Sequence, residues 1–127
     1  MGNKLNNHGK AKLLVVDDEY FNFTLYAQAL GQQYQLQYVD SGKQCLNEAI
    51  NQHPDAIMLD VCMPGLDGFD TCRMLKNTPE TQDIPVLMIS GLESPHAKQQ
   101  GYAAGCDAYF VKPLSFNELL DSLQTLI

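Results

Sequence analysis

The sequence predicts an α/β fold in which a five-stranded parallel sheet carries helices on both faces. Three observations lead there. Short apolar runs alternate along the chain with longer segments of helical character. Four of the five runs are apolar without interruption, as strands are when both faces of their sheet are covered. A chain of 127 residues, 45% of them hydrophobic, also has material for one compact core and not for two.

Each element has its own signal. Residues 1–10 are polar, with three Asn, two Gly and a His, and are expected to form a flexible tail ahead of a domain spanning 11–127. The first strand is expected at Leu13-Leu14-Val15-Val16, and the first helix buries Phe21, Leu25 and Leu30. A weaker, alternating run from Gln35 to Val39 marks the second strand. Ser41 with Gln44 makes a capping box for the second helix, whose apolar residues are Leu46, Ala49 and Ile50. Ala56-Ile57-Met58-Leu59 is the third strand, and Phe69, Cys72 and Leu75 mark the third helix. Val86-Leu87-Met88-Ile89 is the fourth strand. Ser94-Pro95 is a cap followed by a first-turn proline, and Gly105 is placed to end that helix. Ala108-Tyr109-Phe110-Val111 is the fifth strand. Ser115 with Glu118 caps a last helix carrying Phe116, Leu119, Leu120, Leu123 and Leu126. Five βα units in series imply right-handed crossovers.

Composition excludes several functions. The net charge is −7, and the eight cations are scattered at Lys4, Lys10, Lys12, Lys43, Arg73, Lys76, Lys98 and Lys112. Without a basic face, direct contact with DNA or RNA is not expected. Cys45, Cys62, Cys72 and Cys106 form no CxxC pair, and no His stands at metal-ligand spacing, so zinc is not expected. Reduced thiols and a cytoplasmic location are the simpler expectation. No apolar run is long enough to span a membrane, and Met1–Lys10 has no apolar core of the signal-peptide kind.

In an open α/β sheet, ligands bind outside the carboxyl ends of the strands. Asp17, Asp18 and Glu19 follow the first strand, Asp60 ends the third, Ser90-Gly91 the fourth and Lys112-Pro113 the fifth. Taken singly, each has an ordinary explanation: a cap, a turn, a helix-dipole partner or a solvated lysine. Together they bring carboxylates, a hydroxyl and an ammonium to one edge. Clustered carboxylates repel one another unless a cation sits among them, and an all-oxygen set of this kind suits Mg2+. A carboxylate beside a hard metal and a lysine can attack phosphorus, because the cations shield the incoming anion.

These segments resemble the receiver domain of two-component response regulators, of the chemotaxis-regulator kind. LLVVDDEYFNF is similar to the receiver opening, with Asp17-Asp18 and then Asn22. DAIMLDVCMPGLDGFD resembles the phosphorylation segment, with Met63-Pro64-Gly65 and Asp67-Gly68; IPVLMISG and GCDAYFVKPL resemble the fourth and fifth strands. The resemblance covers essentially 11–127 and implies a flavodoxin-like (βα)5 fold with strand order 2-1-3-4-5. It implies that Asp60 is the phosphoacceptor, that Mg2+ is bound directly by Asp18, Asp60 and the Cys62 carbonyl, and that Asp17 acts mainly through water. Lys112 would pair with Asp60 and then with the phosphoryl oxygens. Ser90 would hydrogen-bond the phosphoryl group, and Gly91 would keep the approach open. Lys112-Pro113 would be cis. Tyr109 matches the aromatic switch position, although it could also be a half-buried strand residue. Cys62 and Leu92 occupy the two variable positions that tune the acyl-phosphate lifetime.

The implied partners are a sensor histidine kinase or histidine phosphotransfer protein as donor. A downstream effector would bind the face of the fourth helix, fifth strand and fifth helix. Such a domain is a signalling module that catalyses only its own phosphorylation and dephosphorylation. Three other readings share part of the pattern. A haloacid-dehalogenase-like phosphohydrolase would want a D-x-D after the first strand and a cap domain. A flavin protein would want a Ser/Thr/Gly-rich phosphate loop where DDEYFN stands. A non-phosphorylated docking module would not need the complete acidic, Ser and Lys set.

Overall fold

The computed structural model describes residues 9–63, 65–91 and 95–127. Five strands and five helices alternate among them: β1 Ala11–Val16, α1 Tyr20–Leu30, β2 Tyr34–Val39, α2 Gly42–Gln52, β3 Ala56–Asp60, α3 Gly68–Lys76, β4 Val86–Ser90, α4 Pro95–Ala104, β5 Ala108–Val111 and α5 Phe116–Leu126. All strand pairs are parallel, in the order β2-β1-β3-β4-β5.

The uninterrupted apolar runs have a direct cause. Side chains alternate across a strand, and here both faces are covered. Leu14, Val16, Ile57, Leu59, Val86 and Met88 point into one core with Cys45 and Ala49 of α2, Phe69, Cys72 and Leu75 of α3 and Ala97 and Ala104 of α4. Leu13, Val15, Ala56, Met58, Leu87 and Ile89 point into the other, with Tyr26 and Leu30 of α1 and Leu119 and Leu123 of α5. β2 is an edge strand and alternates in burial, as its weaker sequence signal required.

The caps behave as their residues demand. Ser41 Oγ accepts from the Gln44 N–H (3.2 Å), Asp67 Oδ1 from the Asp70 N–H (2.9 Å) and Ser115 Oγ from the Glu118 N–H (3.3 Å). Gly105 follows α4 with φ +106°, a conformation that suits glycine. The Ser94 cap lies outside the described residues.

One expectation is corrected. The buried face of α1 is Tyr26 and Leu30, with Phe23 partly buried, whereas Phe21 is 70% and Leu25 42% exposed. The helix YFNFTLYAQAL is apolar on nearly every side, so two stripes compete, and contact with β1 and α5 selects the one that contains Tyr26.

Hydrogen bonding continues one residue past the strand ends. Asp17 N–H donates to Val39 O (3.2 Å), Val61 N–H to Ile89 O (3.2 Å) and Lys112 N–H to Ser90 O (2.8 Å). This fixes the backbone where the polar strand-end residues stand.

Candidate functional site

Asp17 follows β1 and is 2% exposed; Asp60 ends β3 and is 8% exposed; Asp18 is exposed. One carboxylate oxygen from each lies within 4.8 Å of the others. Parallel strand order brings them together, because β1 and β3 are neighbours and end at the same edge.

Two donors hold the Asp17 carboxylate: the Glu19 N–H to Oδ1 (2.9 Å) and Asn22 Nδ2 to Oδ2 (3.1 Å). The Cys62 N–H donates to Asp60 Oδ1 (3.3 Å). Lys112 Nζ stands 3.9 Å from the same oxygen, an ion pair through space rather than a tight hydrogen bond. Burial first, and then the Asp17 charge, push the Asp60 carboxyl up to about 6; Lys112 and the Cys62 N–H pull the other way. Asp17 is also raised, chiefly by burial. The pocket thus holds more negative charge than Lys112 offsets. With only oxygen donors facing it, the cluster fits a hard divalent cation.

Ser90-Gly91 and Lys112-Pro113 stand at the ends of β4 and β5, on the same edge of the sheet as Asp17 and Asp60. Ser90 ends β4 and is fully buried. A Cβ placed on Gly91 would meet nothing within 4 Å among the described residues. Lys112-Pro113 is cis, as expected. Cys62 is exposed at the same edge. Tyr109 is 8% exposed and packs against Gly101 of α4 and Met88 of β4, farther along the sheet. Leu92 lies outside the described residues. Glu19 is the N-cap of α1 without a side-chain capping bond; its Oε1 accepts from Asn22 Nδ2 (3.3 Å).

Two contributors lie beyond the strand ends singled out from sequence. The Tyr38 hydroxyl, from the end of the second strand, donates to Asp17 O (2.8 Å), a contact that the sequence does not signal. Gly68 is the other. A Cβ there would fall 2.5 Å from Asp60 O and 2.6 Å from Val61 Cα, so the start of α3 rests directly on the backbone of the site. Asp67-Gly68 carried that signal.

Comparison with known proteins agrees with this geometry. The response regulator receiver domain family matches residues 13–124. Response regulator PleD of Caulobacter vibrioides is 39% identical over 105 residues, 82% of this chain and 23% of its own length. The chain spans 23% to 50% of the length of the first curated relatives it matches. Among solved structures, chemotaxis protein CheY4 of Vibrio cholerae superposes with a TM-score of 0.85 at 30% identity, over 94% of this chain and 100% of that one. The receiver domain of sensor histidine kinase PA1611 from Pseudomonas aeruginosa, with a magnesium ion coordinated in its active site cleft, gives 0.85 at 26%, over 93% and 98%.

Proposed function

The chain belongs to the response regulator receiver domain family of two-component signalling, and on that premise we propose that Asp60 accepts a phosphoryl group from the phosphohistidine of a sensor histidine kinase or a histidine phosphotransfer protein. The observation that carries this reading is the convergence of Asp17, Asp18 and Asp60 within 4.8 Å, with Lys112 3.9 Å from Asp60, at the carboxyl edge of the sheet.

An Asp60 carboxylate oxygen forms the bond to phosphorus as the P–N bond to imidazole breaks, and that bonding pair returns to the ring nitrogen. Mg2+ is the cation the donor set fits; Asp18, Asp60 and the Cys62 carbonyl would hold it directly and Asp17 through water. Bound there, it supplies neutralising charge for the carboxylates and the phosphoryl oxygens. Lys112 adds the fixed ammonium on the Asp60 side. Ser90 supplies a hydroxyl to the phosphoryl group, and Gly91, which has no side chain, keeps the approach open. Tyr109 reports the event to the face of α4, β5 and α5, where an effector domain or protein binds.

The chain catalyses only its own phosphorylation and dephosphorylation. Incubation with acetyl phosphate should label it in Mg2+ and not in a chelator; equal labelling in both contradicts the proposal. Asp18→Ala should weaken Mg2+ binding more than Asp17→Ala, because a direct ligand is lost. Equal Mg2+ affinity in Asp18→Ala and wild type removes Asp18 from the ligand set.

A further inference from the structure

We propose that Asn22 and Tyr38 are positioning residues for cation binding at this pocket and act through Asp17; the inference rests on the metal reading above. Every polar atom of Asp17 is engaged. Its N–H donates to Val39 O (3.2 Å) and its carbonyl accepts from the Tyr38 hydroxyl (2.8 Å). Its Oδ1 accepts from the Glu19 N–H (2.9 Å) and its Oδ2 from Asn22 Nδ2 (3.1 Å). Two of these partners are backbone groups that any sequence supplies. The other two are side chains that this sequence places there.

The chemistry of the two donors suits the task. A carboxylate oxygen can accept about two hydrogen bonds, so one donor on each leaves a lone pair for a cation or its water. Asn22 is neutral; it fixes the carboxylate plane without neutralising it, as a lysine would. Its amide orientation is set by its surroundings, because both neighbours of Nδ2, Asp17 Oδ2 and Glu19 Oε1, are acceptors. Tyr38 is held in turn by rings from the start of α1: Tyr20 at 5.2 Å, edge-on, and Phe23 at 5.1 Å. Asp17 is therefore clamped from the first turn of α1 through its carboxylate and from the end of β2 through its carbonyl. Loss of either clamp leaves the Asp17 carboxylate present but less well aimed at the cation's water.

The test is calorimetric titration with Mg2+ of metal-free wild type, Asn22→Ala, Tyr38→Phe, Asp17→Ala and the Asp17→Ala/Asn22→Ala double variant. It is run well below every melting transition, with circular dichroism to confirm the fold. Tyr38→Phe keeps the ring cluster and removes only the hydroxyl. The Mg2+ Kd should weaken about tenfold in Asn22→Ala and by a smaller factor in Tyr38→Phe. Adding Asn22→Ala to Asp17→Ala should change nothing further, because the residue through which it acts is gone. A purely structural role would lower melting temperatures and leave the Kd alone. A wild-type Kd in either single variant, or the same loss from Asn22→Ala with Asp17 already removed, overturns the proposal. Wild type that binds no Mg2+ overturns the metal reading itself, and this inference with it.

Discussion

At Asp60, burial and the Asp17 charge raise the carboxyl to about 6 against the pull of Lys112 and the Cys62 N–H. A carboxyl raised in the folded state binds its proton more tightly there than in the unfolded chain. Its contribution to stability is fully present below 3.8 and is lost as pH rises through about 6. Without metal, the ionised group at neutral pH therefore costs the fold up to about 3 kcal/mol. Metal-free Asp60→Asn should melt a few degrees above wild type at pH 7, with the gap closing toward pH 4.5; a lower melt at pH 7, or a gap independent of pH, contradicts this. If Asp60 carries the proposed acyl phosphate, Cys62, exposed two residues on, is placed to affect how long it survives. A thiol is a weak hydrogen-bonding group and a poor orienter of water, and Leu92 offers none. Slow self-dephosphorylation is expected in Mg2+ after the donor is removed, with Cys62→Asn or Leu92→Glu speeding it; fast decay in wild type, or no acceleration in either variant, contradicts that. The identities of the pocket residues were legible from strand-end positions alone. The clamp on Asp17 was not, because a phenol reaching a main-chain carbonyl across two strands leaves no spacing signature.

Among the elements, helices with a single apolar stripe were readable, as in α3 and α5, where Phe69, Cys72, Leu75, Leu119 and Leu123 are buried as expected. α1 was not, since apolar residues on several faces left its contact side to be chosen by its neighbours. α4 poses a different question. A Cβ at Gly101 would stand 2.8 Å from Tyr109 Cδ2 and 3.1 Å from Met88 Sδ, so the buried seat of the Tyr109 ring depends on a bare backbone in mid-helix. Alanine there gains about 1 kcal/mol of helix propensity and loses about 1–3 kcal/mol to overpacking. Overpacking should win: urea unfolding of Gly101→Ala is expected to give a stability lower by about 1 kcal/mol. A variant more stable than wild type would show that the ring moves aside freely and that Gly101 does not set its position.

At the scale of the whole molecule, the parallel sheet makes one edge from residues spread between Asp17 and Lys112. The architecture was legible because both faces of the sheet are covered and each strand prints an apolar run; the edge strand β2, alternating in burial, printed the faintest one. The same architecture gives Asp60 alone, of the three clustered carboxylates, both Lys112 and the Cys62 N–H as neighbours, and the account rests on that distinction. Its most direct test is intact-protein mass spectrometry of wild type and Asp60→Asn, each incubated with a phosphodonor and Mg2+. Wild type should gain one phosphoryl group and Asp60→Asn none, because an amide oxygen is a poor nucleophile. A phosphoryl group that still appears on Asp60→Asn would contradict the account.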